Sequence, residues 1–581
     1  MFKKYIKPYT RRIVVNVCVK MTGTLMEVVL PAILAHIVNV VVPTRNQSGI
    51  IAWGIAMVVF SFGAWVLNFS ANRMASGTAS RAILSIRQDM FARAMRLSAR
   101  QMDKLTVSSL ESRLTTDTYA LHRFLGATLR MGIRSLMLFI GGVFFCFWLS
   151  WRLALILLVL IVPLFFAIRF IYRRAIPLFH TVQRKLDDMV QIIRENIRGI
   201  RIIKALDRTD YEKERFGVSN EDVRTAEVRA IDQIAMMSPL VNIILYTGLT
   251  AVLLLGAQLV NVGMLQTGTI LAFLSYFILI TNSLLGLNRM FNIYNRAVAS
   301  IERIREVLTM PIDENQIIPE DASSVGESDS SVPEIEFKNV SFSYLGVKND
   351  LENISFVLYP GETLGIMGPT GSGKSTLIRL LLRQYDVQEG EILIRGRDIR
   401  TIKPEALSNL FGIVFQNDFL FGGTVRKNVD FGRGLSDELI GEATEHAQAS
   451  TFLAEKEGGL DFALASKGVN LSGGEKQRLL LSRALAGDPE ILILDDASSA
   501  LDFRTDAKLR RALRDHYSAT TSIIIAQRVS SIRHADQIIF MENGKISAMG
   551  DHDTVMRESQ KYREIAKMQM GEWHDDAEAI A

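Results

Sequence analysis

GPTGSGKST, residues 368–376, spaces its glycines, lysine and hydroxyl residues as a loop that closes around phosphate oxygens would. Glycines let backbone N–H groups curl toward an anion. The flanking runs TLGIM and LIRLLLRQY predict a strand before the loop and a helix after it, with the helix's positive end aimed at the same point. Gly368, Gly371, Ser372, Gly373, Lys374, Ser375 and Thr376 are therefore candidate nucleotide contacts. Lys374 is expected to reach the β- and γ-phosphates and Ser375 to offer its hydroxyl to a magnesium ion. An ordinary glycine turn is the competing reading, and the strand–loop–helix context argues against it.

A second stretch, ILILDDASSALD (491–502), runs four apolar residues into Asp495 and Asp496. A strand ending in carboxylates suits a magnesium ion beside a nucleotide. Alone this is weak evidence; behind a phosphate loop it makes Asp495 the candidate metal ligand. A third, LSGGEKQR (471–478), predicts a helix running to Leu485, with Ser472, Gly473 and Gly474 leaving its N-terminus open to an anion. Taken by itself, that segment fits an ordinary N-cap equally well.

These motifs need a scaffold, and the 581 residues are enough for two or three domains. The chain is 49% hydrophobic yet 22% charged, which implies a membrane part and a soluble part in series. A net charge of +5 without a dense basic run argues against nucleic-acid binding. The basic start MFKKYIKPYTRR lacks an apolar core followed by a small-residue cleavage site and is expected to be a cytoplasmic flank. Cys18 and Cys146 lie in apolar stretches and are expected to be small buried hydrophobes.

Residues 1–310 hold six candidate spans, near 18–42, 50–71, 131–149, 152–172, 240–262 and 267–288. Arg and Lys crowd the long stretches after spans two and four, which predicts a cytoplasmic location for those stretches and for both termini. Residues 73–130 and 173–237 read as helical hairpins. Their arms, about 28 residues each, would be roughly 40 Å long. Residues 311–334 are acidic, Ser-rich and broken by Pro, as in a solvated linker. From 335 to 581, β-branched runs alternate with glycine turns and helical segments. The expected architecture is thus an α-helical six-span membrane domain with long cytoplasmic helices, followed by an α/β P-loop nucleotide-binding domain.

LSGGE between a phosphate loop and a magnesium strand resembles the signature of ATP-binding-cassette (ABC) proteins, and the likeness extends over nearly the whole chain. It implies that Tyr344 in VSFSY stacks on adenine. It implies that Gln416 in IVFQND belongs to the glutamine loop and joins Ser375 and Asp495 at the magnesium ion. SALD (499–502) matches a dimer-contact turn. The membrane half is similar to the exporter type. SSLESRLTTD and RGIRIIKALDRTDYEKERF correspond to its two coupling regions, near Leu110 and Asp207, expected against the cassette near Gln416.

Two catalytic positions depart from the family pattern. The residue after the magnesium aspartate is usually Glu and here is Asp496; the switch histidine is replaced by Gln527. A carboxylate one methylene shorter is drawn back by roughly 1 Å, a misplacement that can cost about a hundredfold in rate. Glutamine donates a hydrogen bond but carries no charge and shuttles no proton. The family pairs two cassettes head to tail, so Ser472, Gly473 and Gly474 would serve the partner's ATP. Together these features imply the ATP-holding half of a heterodimeric exporter in the inner or plasma membrane, moving an amphipathic small molecule, lipid or peptide. The alternatives are a slow homodimer and a regulatory subunit that does not pump. Glu27 is expected either to face a cavity for cationic cargo, or to lie near a bilayer end or pair with a neighbour such as Lys20. Asn68, Asn282 and Asn288 are expected to bond between helices. His574, Asp575 and Asp576 read as a polar tail rather than a metal site.

Overall fold

The computed structural model describes residues 2–311, 325–326, 328–416 and 418–570. Most of the acidic linker and the tail with His574, Asp575 and Asp576 therefore lie outside the described residues. The chain divides into two compact units, Met1–Arg96 with Val107–Met310, and Leu97–Thr106 with Pro311–Ala581.

Among the described residues, six helices are long and apolar enough to cross a membrane: Lys3–Thr44, Gln47–Ala94, Val107–Leu149, Trp151–Ala205, Thr209–Asn261 and Thr267–Thr309. Each contains one predicted span. At 42 to 55 residues they are about 60–80 Å long, at least twice a bilayer's hydrocarbon thickness. The span connections are tight: Arg45 adopts a left-handed φ of 52°, and Asn46 then caps the second long helix by accepting from the Gly49 N–H. The core of this unit gathers Val28, Leu138, Cys146, Leu157, Phe273, Tyr276 and Ile280. Inside it the Tyr276 hydroxyl donates to the Val28 carbonyl at 2.8 Å. Cys146 is buried as expected, but Cys18 is exposed on the outer face of its helix.

The first hairpin's tip is expected near QMDKLTVSSLESRLTTD (101–117), and only the start of that stretch forms it; SSLESRLTTD does not. Leu110 is buried, and Asp117, also buried, accepts from Ser300 at 2.9 Å and from Arg303 at 2.7 Å. Arg113 pairs with Glu306 at 2.8 Å. These charged contacts seat the segment on the last long helix. The tip lies upstream, in the short helix Ala99–Leu105. This is a correction to the expected first coupling region. Asp207 does lie at its expected bend, with φ 50°, between helices ending at Ala205 and starting at Thr209.

The second unit is an α/β domain with strands β1 (Ile335–Phe342), β2 (Leu351–Leu358), β3 (Thr363–Met367), β4 (Glu389–Ile394), β5 (Arg397–Asp398), β6 (Phe411–Val414), β7 (Gly423–Thr424), β8 (Ala463–Leu464), β9 (Ile491–Asp495), β10 (Thr521–Ile525), β11 (Gln537–Glu542) and β12 (Lys545–Gly550). The main sheet runs β12-β11-β3-β10-β9-β6, parallel except for the edge strand β12. An antiparallel sheet β2-β1-β4-β5 packs with it around one core. A helical cluster built on Leu479, Leu480 and Leu481 forms a second core. β9 is buried along its whole length, as a central parallel strand requires.

Candidate active site

Strand order creates the site. β10 lies between β3 and β9, and the register sets Ile525 beside both Ile366 and Asp495. Three neighbouring strands therefore end together, which brings the loop after β3, the carboxylates ending β9 and Gln527 after β10 to one edge of the sheet. Ligands of open α/β sheets bind beyond the carboxyl ends of such strands.

The phosphate loop needs its glycines. Gly368 has φ 155°, and a Cβ there would meet the Met541 carbonyl oxygen at 2.2 Å. Gly373 has φ 101°, and a Cβ would meet the Leu351 side chain at 2.6 Å. Lys374 opens the helix Lys374–Leu381, and its ammonium donates to the Gly368 and Pro369 carbonyls at 2.7 and 2.9 Å. Burial holds this ammonium below its usual pKa, against the pull of Asp495 and Asp496.

The Ser375 hydroxyl donates to the Asp495 carboxylate at 3.1 Å. Burial pushes the Asp495 carboxyl up; the Ser375 hydrogen bond opposes this and the Asp496 charge adds to it. Asp496 is also raised by burial, against Arg528 and Lys374. Asp496 has a left-handed φ of 55°, a region Asp tolerates better than most residues. The Gln527 amide donates to its carboxylate at 3.1 Å. The two residues that depart from the family pattern are thus hydrogen-bonded to each other.

These groups line one open cleft of about 580 Å³, with Gln416 on its wall. A hydroxyl, a buried carboxylate and an amide oxygen form a hard oxygen donor set, and the glycine-lined loop leaves room for phosphates, so Ser375, Asp495 and Gln416 fit a magnesium ion.

Tyr344 does not line this cleft. Its hydroxyl accepts from Arg379 at 3.1 Å and donates to Thr376 at 3.4 Å, and its ring meets the edge of Tyr385. The signature residues also stand apart from the cleft. Ser472 caps the helix Gly473–Leu485, with Glu475 returning the bond in a capping box.

Two glutamines that the sequence reading passed over tie the site together. Gln477, on the signature helix, donates to the Asp496 carbonyl at 3.0 Å and accepts from the Ala500 N–H at 2.8 Å. Gln569, on the C-terminal helix Gln560–Met570, donates to the Gln527 carbonyl and accepts from the Val529 N–H, both at 2.8 Å. Gln477 stands inside a motif singled out from the sequence, so its position pointed to it. Nothing local marks Gln569.

Comparison with known proteins agrees with this geometry. Residues 13–284 match the model of the ABC transporter transmembrane region, and residues 351–499 match the ABC transporter model. An uncharacterized ABC transporter ATP-binding protein of Bacillus subtilis, YfiB, is 32% identical, with 98% of each chain covered. The chain belongs to the ABC transporter family. A Mycobacterium tuberculosis ABC transporter ATP-binding protein, also uncharacterized, is 31% identical over 98% of both chains. A solved bacterial Atm1-family ABC exporter with ATP bound matches with a TM-score of 0.79, covering 98% of this chain and 99% of that one, at 23% identity; that likeness concerns the fold. This ABC transporter chain is a multi-pass membrane protein with an ATPase domain, and its family membership implies ATP-driven transport with ATP and magnesium.

Proposed function

We propose that this chain is one half of an asymmetric, heterodimeric ABC exporter, in which its own phosphate-loop site holds ATP and the partner supplies the residues for turnover. The observation that carries this reading is the 3.1 Å hydrogen bond between the Gln527 amide and the Asp496 carboxylate. A general base needs a carboxylate free to polarise water, and a switch residue needs a group that can take charge. Here the shortened carboxylate accepts from an amide that can do neither, while Lys374, Ser375, Asp495 and Gln416 line the same cleft.

Lys374 and the loop N–H groups hold the phosphates. Ser375, Asp495 and Gln416 hold magnesium, which when bound neutralises phosphate charge. Tyr344 stacks on adenine once it swings from its bonds to Thr376 and Arg379. Ser472, Gly473 and Gly474 cap the ATP of the partner, consistent with their distance from this chain's own cleft. Positive-inside loop charge supports cytoplasmic termini and a cytoplasmic cassette. The cargo is amphipathic, and multidrug-type efflux is the expected activity.

The test begins with the tagged chain at native expression. A second half-transporter, carrying the Glu and His missing here, should co-purify in equal amount. In that pair, Asp496→Glu with Gln527→His should raise hydrolysis at this site by about ten- to a hundredfold. Recovery as a homodimer, or no increase in the double variant, would sink the proposal.

A further inference from the structure

The membrane unit encloses a cavity of about 710 Å³, within the size range of ligand pockets. It opens between the first, second, third and sixth long helices, where four predicted spans share one end. Lys20, Arg130, Arg134 and Arg289 line it, against a single carboxylate, Glu27. Glu27 does not set the sign of the cavity, because it accepts two hydrogen bonds from Arg134, at 2.5 and 3.2 Å. Glu27 thus faces the expected cavity and pairs with a neighbouring cation, but that cation is Arg134 rather than Lys20, which leaves it no free charge for a cationic cargo.

The other three cations form no ion pair. Among the described residues, no carboxylate lies within ion-pair distance of Lys20, Arg130 or Arg289. Lys20 is buried, at 2% exposure, and its ammonium donates to the Asn72 side-chain oxygen at 3.0 Å. Among the described residues, Arg130 donates only to the Gly126 carbonyl of its own helix, at 3.0 Å. Of the three, Lys20 is buried, Arg130 half-buried and Arg289 exposed; a buried cation without a counter-ion is costly, and like charges gathered on one wall add to that cost. The cheapest relief is a bound anion. Leu30, Trp65 and Leu285 line the same cavity and offer apolar contacts, beside Asn68 and Asn282. Asn68 donates to the Ala64 carbonyl of its own helix at 2.8 Å, not between helices as expected, and the Asn288 side chain lies outside the described ones.

From this arrangement we propose that the cavity binds an amphipathic anion, with a carboxylate or phosphate head among Lys20, Arg130 and Arg289 and its apolar body along Leu30, Trp65 and Leu285. This rests on the transporter reading above and gives its cargo a charge. The same chemistry is found in an anionic phospholipid entering from the bilayer and in a soluble anionic amphiphile.

The probe is dodecyl phosphate, with dodecyltrimethylammonium as its cationic counterpart, added to the full transporter in nanodiscs of zwitterionic lipid. Dodecyl phosphate should bind and stimulate ATP hydrolysis, and the cation should do neither. Arg130→Gln with Arg289→Gln should weaken the anion's Kd about tenfold or more. Glu27→Gln, which frees Arg134, should tighten it by about threefold; a purely structural role for Glu27 gives no such gain. Competition by phosphatidylglycerol in the nanodisc would assign the head group to a membrane lipid, and its absence to a soluble amphiphile. Equal binding of the two probes, or unchanged affinity in Arg130→Gln with Arg289→Gln, would overturn the site. Binding of the anion without stimulated turnover would leave the site standing and count against the transport reading.

Discussion

Asp495 and Lys374 face each other across the cleft with opposite departures from their ordinary acidities. The Asp495 carboxyl is raised, by burial first, and the Lys374 ammonium is lowered for the same reason. A carboxyl raised in the fold costs stability above the ordinary aspartate range, and the cost is relieved as pH falls through the raised value. Magnesium–nucleotide binding has the reverse slope, because it needs the ionised carboxylate. Affinity for magnesium ATP should therefore fall on acidification before exposed carboxylates protonate. Asp495→Asn should weaken magnesium-dependent binding by about tenfold or more and flatten that acid limb, as followed with a fluorescent nucleotide across pH. A limb unchanged in the variant would assign the titration to another group. At this scale the sequence was legible where chemistry and spacing coincide, as in Ser375 and Asp495, which meet at 3.1 Å. Gln569 was not legible: it lies 42 residues from the Gln527 carbonyl it binds, and a glutamine on an amphipathic helix carries no mark of its target.

The helix Ala99–Leu105 belongs with the cassette although it interrupts the membrane half. Ser98 and Gln101 form a capping box at its start, and the Tyr385 hydroxyl donates to Asp103 at 2.6 Å. Tyr385 in turn meets Tyr344 edge-on, and Tyr344 bonds Thr376 beside the phosphate loop. A continuous set of contacts thus runs from the short helix to the nucleotide loop through two tyrosines. Tyr385→Phe keeps the ring contact and removes the bond to Asp103. It should leave nucleotide affinity unchanged while lowering substrate-stimulated ATPase severalfold; parallel loss of both would mean a general packing defect. The S-x-x-Q pattern of this cap was present in the sequence. The family resemblance points further along, to SSLESRLTTD near Leu110. The polar side chains of that segment serve ion pairs with the last long helix, such as Arg113 with Glu306. The six apolar spans, by contrast, were legible, each falling on one of the six long helices, because a helix satisfies its own backbone in a bilayer.

The whole transporter should behave as a protein with one long-lived nucleotide. Saturation at about a hundred times Kd stabilises a fold by about 2.7 kcal/mol. If this site holds ATP, the rise in Tm given by magnesium ATP should persist like that given by a non-hydrolysable analogue. In the pair carrying Asp496→Glu and Gln527→His it should decay with incubation; decay at the same rate in the unaltered pair would refute the holding site. The discontinuous make-up of the cassette unit also matters while the chain is being made. Asp103 leaves the ribosome 282 residues before Tyr385, the side chain that receives it. At about 5–20 residues per second, that interval lasts tens of seconds. Throughout it the short helix has no socket, so the newborn membrane half displays an undocked tip that a chaperone or protease can survey, and completion of the cassette hides it.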